Sequence, residues 1–305
     1  MPNIGMQVLM LRVTAYPTIS IKAEMRYGGG ILMTVLRKEL SSCTLEVEDS
    51  GVATLTMTDA ARMNAFNEEN LRNILEAIIL LRKIPQAQVL VLTGTEYAFS
   101  SGGDIDLLSD MDSVEKAKWT FEAACDLVNL FYNLEIPVIA AVSGIVAGAA
   151  LSMMMACDLI IGAENASLFF AFGQIGFTSD SGTSYHLVRK LGYHKAAEIL
   201  FFNRKIDAPQ AEELGFFNRV VPLEQLLPEA RKWAERIASG PMLATACDKK
   251  LLRAAMHNTY LQQQELESQY QILTWASDDF KEGVAAFKER RKPQFKGKWQ
   301  KEYLG

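Results

Sequence analysis

The chain has 305 residues, with 31 Lys and Arg against 36 Asp and Glu, a net charge of −5, and 49% apolar and 22% charged residues. This length fits about two domains, or one large α/β domain with an appendage, and the composition excludes a collagenous or low-complexity chain. The mild acidity argues against a general binder of nucleic acid or anionic membrane. The four dispersed cysteines (Cys43, Cys125, Cys157, Cys247) and three histidines (His186, His194, His257) offer neither a C-x-x-C pair nor a Cys/His zinc site. They read as the reduced thiols of a cytoplasmic protein.

Residues 1–32 lack the continuous apolar run of a signal peptide, because Arg12 and Pro17 interrupt it. The run Gly28-Gly29-Gly30 just ahead of Met33 suggests a translated ribosome-binding site. Residues 1–32 are therefore expected to be an N-terminal extension, with Met33 the natural start. Residues 43–48 and 52–57 alternate apolar and polar around Asp49-Ser50-Gly51, which predicts a β-hairpin. Asn67, followed by Glu68 and Glu69, caps a predicted helix with Leu71, Ile74, Leu75, Ile78 and Leu81 on one face. A short buried strand is expected from Gln88 to Leu92, and an amphipathic helix over residues 113–134. Residues 137–157 carry no charge and place Gly144 and Gly148 at G-x-x-x-G spacing. Ser143-Gly144 splits this stretch, and basic or aromatic anchors are missing. A buried strand (138–142) followed by a buried helix fits better than a membrane span. Another strand is expected over residues 158–161. Strands alternating with helices imply parallel pairing through right-handed crossovers. From residue 222 onward the sequence is almost entirely helical, with breaks near Gly240-Pro241 and Ser277-Asp278. The sequon Asn165-Ala166-Ser167 reads as accidental.

Three segments have the residue types for chemistry. Phe99-Ser100-Ser101-Gly102-Gly103-Asp104-Ile105 follows a buried strand, and its glycines let the backbone approach a ligand. It is neither a G-x-G-x-x-G motif nor a P-loop, and taken alone it is better read as an ordinary strand-to-helix turn. Ser143-Gly144-Ile145-Val146-Ala147-Gly148-Ala149-Ala150-Leu151 also runs from a strand into a helix, with small residues that leave helix N-terminal N–H groups open. Two such turns converging would form an oxyanion hole, though small residues serve tight helix packing too. The third segment, 169–183, sets one carboxylate, Asp180, among Phe169, Phe170, Phe172 and Phe177. Such surroundings raise a carboxyl pKa toward that of a proton-shuttling base. The bland alternative is that Asp180 caps the helix beginning near Gly182.

Together these segments resemble the crotonase, or enoyl-CoA hydratase/isomerase, superfamily over residues 40–300. Met63-Asn64-Ala65-Phe66-Asn67 is similar to the family's first CoA-contacting loop. Phe99-Ser100-Ser101-Gly102-Gly103-Asp104 is similar to its first oxyanion-hole motif, and residues 137–144 with the following helix to its second. The tail Asp278-Asp279-Phe280-Lys281-Glu282-Gly283 and residues 287–293 match its C-terminal pattern. The fold this implies is α/β: a crotonase-like spiral of ββα units over residues 33–221, with a C-terminal helical region over 222–305 that builds homotrimers, often paired as hexamers. The resemblance implies an acyl-CoA thioester substrate, coenzyme A being part of the substrate and no separate cofactor, metal, nucleic acid or membrane being called for. It assigns Asp180 as base, with the N–H groups of Ser101 and Ala149 as oxyanion donors. Substrate contacts would come from Asn64, Ala65, Phe66, Gly102, Gly103, Asp104, Ile105, Ile145, Gly148, Ser152 and Phe172.

Departures from the pattern narrow the subgroup. Where the family's hydratases carry two water-activating glutamates, this chain has Ser152 and Phe172. Asp180 instead matches the carboxylate of the enoyl-CoA isomerases and of the ring-processing isomerases of phenylacetate breakdown. Asp59-Ala60-Ala61 stands where the family usually has a proline. The reaction expected is migration of a 3-enoyl-CoA double bond to position 2, in a site kept dry by Phe170, Phe172 and Phe177. Rival readings are a hydratase in which Ser152 holds water and a ring-opening isomerase of aromatic-CoA breakdown. A third is a serine hydrolase built from Ser181 or Ser184 with His186 and Asp180, although no G-x-S-x-G elbow is present. The non-enzyme rival is an RNA-binding homologue using the basic tail of Lys288, Arg290, Arg291, Lys292, Lys296, Lys298 and Lys301.

Overall fold

The structure, a computed structural model, describes residues 22–28 and 31–296. The expectation of an extension ahead of Met33 falls mainly on residues outside these. Strands β1 (Lys22–Gly28), β2 (Ile31–Glu39), β3 (Cys43–Glu48) and β4 (Val52–Met57) form an antiparallel meander. The expected hairpin is β3–β4, with Leu45 opposite Leu55. Helix α1 (Glu68–Leu81) follows. Asn67 Oδ1 accepts from the Asn70 N–H at 2.8 Å, and Ile74, Ala77, Ile78 and Leu81 turn inward, as the apolar spacing predicts.

From here the chain winds as a spiral. Strands β5 (Val89–Thr93) and β6 (Ala98–Ser100) lead to α2 (Ile105–Ser109) and α3 (Val114–Tyr132). Strands β7 (Val138–Val142) and β8 (Ile145–Ala147) lead to α4 (Ala149–Ala156). Strands β9 (Leu159–Ala163) and β10 (Ser167–Phe169) lead to α5 (Thr183–Leu191) and α6 (Tyr193–Phe201). Each turn thus places one strand in each of two sheets. The larger, eight-stranded sheet has the order β1-β2-β3-β4-β5-β7-β9 followed by β12 (Arg219–Val221), parallel from β4 onward. The smaller begins with β11 (Lys205–Asp207) and continues β10-β8-β6, with β6, β8 and β10 parallel. Strand β11 (Lys205–Asp207), helix α7 (Ala208–Glu213) and strand β12 (Arg219–Val221) complete the spiral.

Every residue of β5 and β7 is buried, which explains their unbroken apolar sequences. One face packs on α1, α3 and α4 through Leu90, Leu92, Phe99, Phe131 and Met154. The other meets α8 (Leu226–Ala238), whose Ala230, Ala234 and Ala238 share one stripe. Those small side chains let α8 lie close to Val91, Ile139 and Ile161. Arg231 on α8 grips Glu48 with two bonds of 2.5 and 2.6 Å. Helices α9 (Met242–Ala254), α10 (Tyr260–Trp275) and α11 (Asp278–Glu289) follow, with breaks where Gly240-Pro241 and Ser277-Asp278 indicate and a further one over residues 255–259, capped by Thr259, that was not expected.

The uncharged stretch 137–157 is strand, turn and an eight-residue helix, α4, buried at every position. Among the described residues no helix is long and apolar enough to cross a membrane, and no cluster of His, Cys, Asp or Glu is arranged to hold a metal. The four cysteines are unpaired. Burial pushes the Cys43 thiol up to about 12 and the Cys157 thiol well above its ordinary value, so both are inert.

Candidate active site

The ends of β6 and β8 and the loop after β10 meet at one side of the spiral. The first turn is held from beneath by the loop before α1. Asn64 Nδ2 donates to the carbonyls of Ala98 (3.1 Å) and Phe99 (3.0 Å). Ser100 Oγ donates to Asn64 O at 2.7 Å. Asp104 caps α2, its Oδ1 accepting from the Asp106 N–H at 3.0 Å, and lies 3.8 Å from Arg62 Nη1. Gly102 has φ +80°, and a Cβ there would lie 2.4 Å from Ala147 O, so a side chain is excluded.

The direction of each N–H in this turn is set by its neighbours. Ser101 donates its N–H to Met63 O at 2.9 Å. That corrects the sequence-based assignment, because a donor already paired inside the protein is not available to an oxyanion. Phe66 and Gly103 form a parallel bridge in which Phe66 N–H donates to Gly102 O (2.6 Å) and Asp104 N–H to Phe66 O (3.4 Å). In such a bridge the N–H of Gly103 itself points the other way. It faces the second turn, where a Cβ built on Gly148 would lie 3.8 Å from Gly103 N. Gly148 adopts φ +53° and starts α4, leaving the Ala149 N–H at the first helical position without a carbonyl inside the helix. Two backbone donors, Gly103 and Ala149, therefore stand side by side at the positive end of α4.

The third segment brings the carboxylate. A short 3₁₀ turn, Phe172–Ile175, leads through Phe177 to Asp180 and then α5. The cap of α5 is Gly182, with no side-chain hydrogen bond, so the Asp180 carboxylate is not a helix cap. Asp180 Oδ1 is buried without a hydrogen-bond partner. Burial raises its carboxyl above the ordinary carboxylate range, against smaller lowering by the Ser181 hydroxyl and its own backbone N–H.

These groups share a pocket of about 160 Å³. Of the sequence-predicted residues, Asp180, Ser101, Ala149, Phe66, Gly103, Ile105, Gly148 and Phe172 line it. Asn64, Ala65, Gly102, Asp104, Ile145 and Ser152 do not. Asn64 and Gly102 are the scaffold of the first turn, and Asp104 its cap. Ala65 is buried, its carbonyl accepting from Asn70 Nδ2 at 2.7 Å. Ile145 sits on β8 with its side chain half-exposed, outside the pocket. Ser152 is fully buried and bonded within the protein. Phe170 is likewise fully buried and packs on Phe216 rather than facing the pocket. Among the residues that sequence reasoning missed are Thr120, Phe121 and Ala124 on α3, Leu107 and Leu108 on α2, and Leu71 on α1. Phe121 meets Phe177 with ring centroids 5.3 Å apart. For Thr120, Phe121 and Ala124 the one signal was that the predicted helix 113–134 is amphipathic.

The hydrolase triad is not assembled. His186 lines a separate cavity against Tyr132 and Tyr185, and no hydrogen bond joins it to Ser181, Ser184 or Asp180. Burial, with Arg253, Lys190 and Arg189 adding to it, lowers its pKa to about 4.

A spiral of ββα units with two stacked glycine turns has counterparts among known proteins. The family description "Enoyl-CoA hydratase/isomerase" matches residues 47–298. The chain belongs to the enoyl-CoA hydratase/isomerase family. This family acts on acyl-CoA thioesters. The 1,2-epoxyphenylacetyl-CoA isomerase of Escherichia coli is 33% identical over 261 residues, covering 82% of this chain and 97% of that one. A probable enoyl-CoA hydratase of Rhodobacter capsulatus is 35% identical, covering 85% and 100%. The crystal structure of an enoyl-CoA hydratase from Geobacillus kaustophilus superposes with a TM-score of 0.82 at 25% identity, covering 87% and 100%. Isomerase and hydratase names thus both occur among relatives of this enoyl-CoA hydratase/isomerase family member.

Proposed function

We propose that the protein is an enoyl-CoA isomerase that moves a 3-enoyl-CoA double bond to position 2, with Asp180 as the single proton-shuttling base. The observation that carries this reading is the placement of one desolvated carboxylate, with an unpartnered oxygen, in a pocket shared with the Gly103 and Ala149 N–H groups. The thioester carbonyl oxygen sits between those two donors. Asp180 takes a proton from C2, and the charge moves onto the carbonyl oxygen as the dienolate forms. Donors aimed at that charge are each worth about 3–4 kcal/mol. The protonated carboxyl then returns the proton to C4, leaving the double bond between C2 and C3. Desolvation suits Asp180 to both halves, because it makes the carboxylate more basic than usual.

Water addition needs a second polar group to hold and activate water. Neither position where the resemblance places a hydratase glutamate supplies one. Phe172 is apolar, and the Ser152 hydroxyl is engaged inside the protein. Phe66, Phe121, Phe172 and Phe177 give the pocket an aromatic lining, which also suits a ring-bearing acyl group such as that named for the Escherichia coli relative. A panel of 3-enoyl-CoA, 2-enoyl-CoA and ring-bearing acyl-CoA thioesters tests the reading. Double-bond migration without hydration is expected; 3-hydroxyacyl-CoA as main product would overturn it.

The assembly proposed is a homotrimer or a hexamer of two trimers in the cytoplasm. The C-terminal helices leave Leu252, Tyr260, Leu261, Ile272, Trp275 and Phe287 exposed, an apolar surface of the kind that subunit contacts cover. Light scattering of the purified protein gives the mass that decides it.

A further inference from the structure

Ser152 and Thr183 are fully buried polar residues beside the pocket that have no part in the proton shuttle. Their hydroxyls lie 2.6 Å apart. Ser152 Oγ also lies 3.2 Å from the backbone carbonyl of Asp180, to which it donates. A serine hydroxyl has one proton, so in the Ser152–Thr183 contact the donor is Thr183 and the acceptor Ser152. The Thr183 N–H reaches the same Asp180 carbonyl at 2.8 Å. That carbonyl thus accepts two bonds, one from α4 and one from the start of α5.

The position of Ser152 in the fold gives this chain of bonds its meaning. Ser152 lies one turn beyond Ala149 on the same helix, α4, which is buried throughout. The element that presents an oxyanion donor therefore also grips the backbone of the base. We propose that the Ser152–Thr183 hydroxyl pair is a positioning device that registers the Asp180 carboxylate against the Ala149 N–H. The position that resembles a hydratase's glutamate site is spent here on holding the base rather than on holding water. This inference rests on the reading of Asp180 as base.

Three variants test it: Ser152→Ala and Thr183→Val remove one hydroxyl each with little change of volume, and Thr183→Ser keeps the hydroxyl. Each is assayed for 3-enoyl-CoA isomerisation across pH, with thioester affinity measured by calorimetry. A small misplacement of a reacting group costs up to about 10²-fold. Ser152→Ala and Thr183→Val are expected to lower kcat at least tenfold, with thioester affinity near that of the wild type. Thr183→Ser is expected to restore kcat to within about twofold. The acidic limb of the kcat profile should move to lower pH in the two damaging variants, because a loosened Asp180 gains water. Among the described residues Asp180 is the one ionisable side chain that lines the pocket, and the Cys125 thiol lies 3.8 Å from Ser181 Oγ. A purely structural pair would lower the melting temperature and leave kcat and the limb of the folded enzyme in place, which would overturn the proposal. Should Ser152→Ala not fold, the contrast of Thr183→Val with Thr183→Ser decides it. A wild type that moves no double bond would remove Asp180 as base and the positioning device with it. An active wild type matched by all three variants would remove the device alone.

Discussion

Asp158 and Asp180 are both carboxylates withdrawn from solvent, and their surroundings differ in one respect that sets their roles. Asp158, after α4, lies 2.6 Å from Lys249 Nζ and 2.8 Å from Arg253 Nη2 on α9, and also accepts from the Val138 N–H at 2.8 Å. Its charge is matched, and it fastens the C-terminal helices to the spiral core. Asp180 has no cation beside it, and its Oδ1 has no partner. A matched buried charge holds a fold together; an unmatched one makes a base.

Replacing each carboxylate should therefore have opposite consequences. Asp180→Asn should lower kcat for isomerisation by about 10²–10⁴-fold, with thioester affinity changed little in calorimetry. It should also raise the melting temperature at neutral pH. The folded-state pKa of Asp180 lies above its unfolded value, so the folded chain binds the extra proton between the two. Stability contributed by this group is present at low pH and lost as pH rises through that window. Asparagine removes the loss, and the gain should vanish below the ordinary carboxylate range. Asp158→Ala should do the reverse, costing about 3–5 kcal/mol in denaturant unfolding because Lys249 and Arg253 are left buried and unmatched. Its folded fraction should keep the wild-type kcat.

The oxyanion donors offer a finer cut. Ala149→Pro deletes one N–H at the first helical position, where proline is tolerated, and should lower kcat by about 10²–10³-fold without unfolding α4. The smallest effect expected is in the pH profile. Isomerisation should fail on acidification with a midpoint above the ordinary carboxylate range, since protonation of Asp180 removes the base. A midpoint at or below that range would mean that Asp180 is hydrated and the comparison with Asp158 is misdrawn.

How far the sequence disclosed this depends on how local each signal is. The cap at Asn67 and the apolar stripe of α1 are readable because both belong to one helix. The ββα order is readable because β5 and β7, covered on both faces, are unbroken apolar runs. Asp180 stood out as one carboxylate among phenylalanines. The first oxyanion donor was not readable. Whether Ser101 or Gly103 offers its N–H depends on the bridge between Gly103 and Phe66 and on the Met63 carbonyl, both distant in sequence. Asn64 looked like a substrate contact, but its amide is used by the Ala98 and Phe99 carbonyls. Phe121 was not singled out, because an apolar helix face does not reveal whether it meets a sheet or a pocket.

The central claim is that one carboxylate in a dry pocket carries a proton from C2 to C4 without adding water. It is tested most directly with 3-enoyl-CoA deuterated at C2, the product being read by NMR. The account predicts 2-enoyl-CoA with part of the deuterium at C4. A product with no label at C4, or a hydroxyl at C3, would contradict it.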